Sequence, residues 1–219
     1  MSRLQTRLWT SDSGVLLGGF LLVVLLIAYL WWPLALDYLA YVDWQGPWWL
    51  SLDWLLIGIF LIMTLTILAG ADLRADVLIV FVGILGGLAI ETWGTQTGLW
   101  FYYTGEQPPL WIIPAWPIAS LSVDRITRAL RRVTSPAMRL LPGESPRARS
   151  FEPEILFRAM YWVTFALFFA LMMLFVFPTL RRSFTILAVM ICLIAILTPT
   201  DHRYAVLTFA AGAGLGYFL

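Results

Sequence analysis

The run Ser13-Gly14-Val15-Leu16-Leu17-Gly18-Gly19-Phe20-Leu21-Leu22-Val23-Val24-Leu25-Leu26-Ile27-Ala28-Tyr29-Leu30-Trp31-Trp32-Pro33-Leu34-Ala35-Leu36 lies between Asp12 and Asp37 and holds no charged residue. A helix rises about 1.5 Å per residue, so about 20 apolar residues cross the hydrocarbon core of a bilayer. The run is long enough and predicts a transmembrane helix. It is too long for the apolar part of a cleaved signal peptide. Tyr29-Leu30-Trp31-Trp32-Pro33 ends it where a small-residue cleavage site would stand. The segment reads as a permanent anchor.

The same test applied outward finds more such runs. Residues 54–71 lie between Asp53 and Asp72, and residues 77–90 between Asp76 and Glu91, with apolar character resuming beyond. Residues 107–123, 159–180, 183–200 and 204–219 complete the series. Composition agrees: 61% of the chain is hydrophobic and 12% charged, against about half and a quarter in soluble domains. The expected fold is all-α, a polytopic transmembrane bundle of about seven spans. No internal repeat is visible. Residues 1–219 are expected to form a single transmembrane domain with a cytoplasmic Arg-rich loop at 123–152.

Basic residues set the orientation, because cytoplasmic loops collect them. All 14 are arginine. Arg3 and Arg7 precede the first span, and Arg74 follows the second. Arg125, Arg128, Arg131, Arg132, Arg139, Arg147 and Arg149 crowd the loop after the fourth. A cytoplasmic N-terminus puts all of these on one side, with only Arg181 and Arg182 opposite. Localisation in the plasma membrane as a multi-pass protein follows. The outward loops hold many of the 12 tryptophans, which favour the membrane interface. From Asp124 to Leu141, the spacing of Arg125, Arg128, Arg132 and Arg139 predicts an amphipathic helix on the cytoplasmic face, interrupted near Pro136. Pro142-Gly143-Glu144-Ser145-Pro146 reads as a loop. These arginines either hold anionic lipid headgroups or simply set topology.

Scarcities exclude several functions. His202 is the single histidine and Cys192 the single cysteine. Bis-histidine haem, histidine-box di-iron chemistry, cysteine-ligated iron–sulfur clusters and an internal disulfide all need more. No Gly-rich phosphate loop with lysine is present, and no Asp-rich diphosphate motif. Net charge is +1, and nucleic-acid binding is not expected. No metal or organic cofactor is expected. His202 reads as an interfacial residue and Cys192 as a small apolar filler.

Residues 86–125 carry the chemistry. Glu91 lies about 22 Å along the third span by helical rise, near the outer hydrocarbon boundary. An ionisable group at that depth is costly and tends to face the bundle interior. It would either serve as a proton donor in a pocket or cap a helix end. Thr92, Thr95, Gln96 and Thr97 offer hydrogen bonds, with Thr95 one turn on, on the same face. Gly94 and Gly98, with Pro108, Pro109, Pro114 and Pro117, suggest a frayed or re-entrant cap over a pocket. Gly83 and Gly87 are spaced for close helix packing, as are Gly212, Gly214 and Gly216. Asp53 reads as a helix-start acid. Asp72, Arg74, Asp76, Asp124 and Arg125 read as an inner salt-bridge group clamping two loops.

The pattern Glu91-x-x-Gly94-x-x-Thr97-Gly98, then Tyr102 or Tyr103, then Pro114, resembles the membrane carotenoid-biosynthesis family that includes bisanhydrobacterioruberin hydratases. It also loosely resembles the small helical lycopene cyclases. The resemblance implies a cofactor-free enzyme of about seven helices acting on a polyene within the bilayer. Hydration or cyclisation of such an alkene starts by protonating a C=C, and Glu91 is the first candidate acid. Thr95, Thr97 and Tyr103 join it as the catalytic set. Trp93, Trp100, Tyr102, Trp111 and Trp116 would bind substrate and stabilise a carbocation through their π faces. Expected partners are the bilayer, a polyene or isoprenoid ligand, and partner membrane subunits. A non-catalytic subunit of a larger membrane complex is the second reading, and a small-solute transporter the third.

Overall fold

The computed structural model describes residues 9–139 and 148–218. Arg3, Arg7, Arg147 and the loop 142–146 lie outside the described residues. Among the described residues, eight α-helices follow one another: α1 (Ser11–Leu30), α2 (Trp32–Ala40), α3 (Trp54–Leu68), α4 (Leu73–Thr97), α5 (Ala115–Arg139), α6 (Ala148–Val176), α7 (Ser183–Leu197) and α8 (His202–Phe218). Among the described residues there is no strand. Among the described residues, three segments, Ser11–Leu30, Leu73–Thr97 and Glu154–Thr179, are long and apolar enough to cross a membrane. Ile57–Leu68 and Ser183–Leu197 are shorter apolar helices. Leu25, Val163 and Leu174 are each at least 70% exposed. Large side chains left open along apolar helices suit lipid, where they keep an apolar surrounding.

The first apolar run is two helices. Pro33 has no N–H and its ring crowds the preceding turn, so α1 stops at Leu30 and α2 starts around the proline. The opposite happens in α5. The expected break near Pro136 is absent, and one helix runs from Ala115 to Arg139. The expected Arg-rich loop is thus helical at both ends, with 140–147 outside the described residues.

The chain groups into two compact units. The first comprises residues 1–87 and 110–122, the second 88–109 and 123–219.

In the first unit, the start of α1 is laced to the α3–α4 turn. Thr10 and Ser13 form a reciprocal capping box. The Thr10 hydroxyl also donates to the Ala71 carbonyl at 2.9 Å, and the Ser13 hydroxyl to the Leu68 carbonyl at 2.8 Å. Asp12 accepts from the Leu73 N–H at 3.1 Å, and Asp76 from the Asp72 N–H at 2.9 Å. Phe20, Ile67, Leu68 and Leu121 form the core. A Cβ at Gly83 would press on Pro117 and Ser120, and one at Gly87 on the Trp116 ring. Small residues at 83 and 87 therefore let α4 approach α5, as their spacing predicts.

In the second unit, Phe157 and Tyr161 of α6 pack on Val206 and Leu207 of α8. The buried Tyr161 hydroxyl donates to the Ile196 carbonyl at 2.7 Å, joining the N-terminal half of α6 to the C-terminal end of α7. Arg203, at the start of α8, donates to the Thr134 hydroxyl of α5 at 2.8 Å. At the other end, Trp93 of α4 donates to Thr185 at the start of α7, at 3.0 Å. The unit thus has two ends. One joins the end of α5 to the starts of α6 and α8. The other holds Glu91 and the α6–α7 turn.

Gly212 makes an ordinary contact with Val123, whereas nothing lies within 4 Å of a Cβ at Gly214 or Gly216. Packing of the last helix through its glycines is limited to the first of the three.

Candidate functional site

Glu91 lies in α4 and is 3% exposed. The helix does not fray at Gly94. It continues to Thr97 and closes on Gly98, whose φ is +75°. Leu99 N–H reaches back to the Gly94 carbonyl at 2.9 Å, and Gly98 N–H to the Thr95 carbonyl at 3.3 Å. That pair of bonds is the Schellman closure, which needs a left-handed residue at its hinge and therefore favours glycine. The closure sends the chain back along α4. Gly94 is the notch that receives it: a Cβ there would overlap the Trp100 ring.

The returning segment brings two donors onto the acid. Trp100 Nε1 donates to Glu91 Oε2 at 3.2 Å. The Tyr102 hydroxyl lies 3.2 Å from Oε1 and 3.1 Å from Oε2. A carboxyl held by donors on both oxygens cannot swing freely. The same donors stabilise the carboxylate that remains once a proton leaves. Burial, and then the charge and hydrogen bond of Glu91, push the Tyr102 phenol up to about 12.

An aromatic wall adjoins the acid. Trp93 meets Trp100 edge to face, with ring centroids 6.1 Å apart and planes at 83°. Trp93 is fixed in turn by Thr185, whose hydroxyl bonds Thr179 at 3.1 Å; Thr179 donates to the Val176 carbonyl at 3.0 Å. The α6–α7 turn therefore braces the ring. Nothing in the sequence marked Thr179 or Thr185 for this role, because a threonine beside a turn looks like any other.

The predicted residues divide accordingly. Glu91, Trp93, Trp100 and Tyr102 come together. Thr95 and Thr97 lie nearby, but their hydroxyls donate at 2.6 Å to the carbonyls of Glu91 and Trp93 in their own helix. Neither hydroxyl is directed at the Glu91 carboxyl by these bonds. Tyr103 is 78% exposed, and of the two adjacent tyrosines it is Tyr102 that reaches the acid. Trp111 and Trp116 belong to the first unit, where Trp116 fills the notch at Gly87. Asp53, also in the first unit, is exposed. In the expected inner clamp, Asp72 and Asp76 cap the start of α4, while Asp124 pairs with Arg125 and Arg128. Among the described residues, no group of three or more His, Cys, Asp or Glu is placed to hold a metal ion.

Comparison of the chain with family models, with curated proteins and with solved structures finds no match.

Proposed function

We propose that this protein is a membrane enzyme that protonates a C=C of a long isoprenoid, of the carotenoid hydratase or cyclase type. The observation that carries the reading is the buried Glu91 carboxyl, held by Trp100 and Tyr102 beside the Trp93–Trp100 wall. The acid delivers its proton to the alkene, and a tertiary carbocation forms. The neighbouring π faces stabilise that cation. The Tyr102 and Trp100 donors hold the glutamate anion. In hydration, water adds to the cation and its released proton returns to Glu91. In cyclisation, a second C=C attacks the cation and a ring proton is lost to the same carboxylate. Either cycle regenerates the acid and needs no oxidant.

The membrane arrangement belongs to the same proposal. Seven crossings, by α1 and α3 to α8, start from a cytoplasmic N-terminus in the plasma membrane, with α2 at the outer interface. Glu91 then sits toward the outer side, and the Arg131–Arg203 end toward the cytoplasm.

Expression in cells that accumulate lycopene, followed by pigment chromatography, tests the activity. A new pigment that disappears with Glu91→Gln is the expected result. An unchanged pigment profile with the wild-type protein contradicts the proposal.

One observation favours a second reading, a subunit of a larger membrane complex. A Cβ at Gly14, Gly18, Gly19, Gly214 or Gly216 would meet nothing within 4 Å. Small residues on open faces suit partner helices. Co-purification of stoichiometric membrane partners supports that reading.

A further inference from the structure

The segment that returns from Gly98 alternates between two sides. Trp100, Tyr102, Thr104 and Glu106 are half-buried, whereas Phe101, Tyr103, Gly105 and Gln107 are exposed. A period of two gives the segment one inward side. Trp100 and Tyr102, the first two inward residues, both reach Glu91. Thr104 is the next. Two residues of chain span at most about 7 Å, so Thr104 stays beside Tyr102. A turn fixes it there: the Gly105 N–H donates to the Tyr102 carbonyl at 3.0 Å, and Gly105 takes a φ of +71°.

The Thr104 hydroxyl is enclosed and meets no hydrogen-bond partner among the described residues. Thr95 and Thr97, by contrast, satisfy themselves on their own helix at 2.6 Å. An enclosed hydroxyl that keeps both its donor and its acceptor capacity is costly. A small polar molecule that takes part in the reaction would account for it.

The chemistry proposed for Glu91 calls for such a molecule on one of its two branches. Hydration needs a water held close to a carbocation, in a site walled by indoles. The Trp100 N–H and the Tyr102 O–H are directed to the Glu91 carboxyl. Thr104 is the adjoining inward residue, and its hydroxyl can hold a water.

We propose that Thr104 binds the water that adds to the carbocation, which makes the reaction a hydration rather than a cyclisation. The assignment rests on Glu91 protonating the alkene. The Thr104 oxygen accepts one O–H of the water and turns a lone pair of the water toward the cation. That lone pair forms the C–O bond, and the proton of the other O–H passes to the Glu91 carboxylate. Without a held water the same carboxylate takes a proton from a carbon next to the cation, and an isomeric alkene leaves.

Membranes carrying the full chain, incubated with lycopene, test the assignment. The products separate by mass into an alcohol heavier by one water and hydrocarbons of the substrate's own mass. The ratio of the two does not depend on how much of a variant folds. Wild type should form mainly the alcohol. Thr104→Val keeps the shape of the side chain, removes the hydroxyl and should lower the alcohol-to-isomer ratio about tenfold, the scale of one hydrogen bond. Thr104→Ser should keep the wild-type ratio. Thr208→Val removes another enclosed hydroxyl of the same unit, on α8, and should leave the ratio unchanged. An unchanged ratio in Thr104→Val overturns the assignment and leaves Glu91 as the acid. Wild-type products that are all isomers of the substrate do the same. No product from the polyene overturns both.

Discussion

Gly94 decides whether Trp100 can reach Glu91. Its missing Cβ is where the indole lies. Gly94→Ala should therefore push the ring off the acid and destabilise the protein by about 1–3 kcal/mol, as overpacking does. Gly214→Ala adds the same methyl to open space and should not destabilise. Thermal unfolding of the two variants in one detergent compares them directly. A second test concerns Tyr102. Its phenol titrates up near 12, so the folded state keeps the proton where an unfolded tyrosine, near 10, has lost it. The stability this provides is full below about pH 10 and is lost as pH rises toward 12. The ultraviolet phenolate signal that distinguishes wild type from Tyr102→Phe should appear near pH 12 in the folded protein. Appearance near pH 10 would contradict the contact with Glu91. At this scale the sequence was partly readable. A carboxylate inside an apolar run stands out by its desolvation cost, so Glu91 could be singled out. Thr95 and Thr97 could not be judged in advance, because a helical threonine can satisfy itself on the preceding turn, as these do.

The second unit owes its alignment to a few polar bonds between helices that are otherwise apolar. The Tyr161 hydroxyl sits 2.7 Å from the Ile196 carbonyl and ties α6 to α7. Tyr161→Phe keeps the ring packing on Phe165 and His202 and removes that donor. We expect a loss of about 1 kcal/mol in thermal stability, typical of a hydrogen bond in a membrane bundle. No change would mean that the helices are held by packing alone. Element boundaries followed the strength of the local rule. Tyr29-Leu30-Trp31-Trp32-Pro33 ends the first span as the sequence predicts, but the charge-free residues beyond it do not reveal that Pro33 opens a second helix, α2. Pro136 was expected to interrupt α5, yet the helix passes through it. Gly98 ends α4 because the turn there needs a positive φ. Gly94, with the same side chain, is helical because the need there is room for Trp100.

For the whole molecule, charge-free runs separated by Asp, Glu or Arg made an all-α chain with helices long and apolar enough to cross a membrane readable from the sequence. Trp93, Trp100 and Tyr102 could be picked as neighbours of the acid, but they could not be told apart from Tyr103, Trp111 and Trp116, since the Schellman closure at Gly98 decides which rings turn back onto Glu91. The proposed topology has a direct check. In a Cys192→Ser background, Gln45→Cys and Gln107→Cys should react with an impermeant maleimide added to whole cells. Asp72→Cys and Thr200→Cys should react only after the cells are opened. The reverse pattern would invert the orientation.

In the proposed reaction Glu91 hands a proton to an alkene carbon. Membranes carrying the protein, incubated with lycopene in D2O, should yield a product with one carbon-bound deuterium per reaction, read by mass spectrometry after back-exchange in ordinary water. Glu91→Gln should lower product formation by about 100-fold or more, the scale of a lost general acid. A product free of carbon-bound deuterium, undiminished product from Glu91→Gln, or no product from the polyene at all would contradict it.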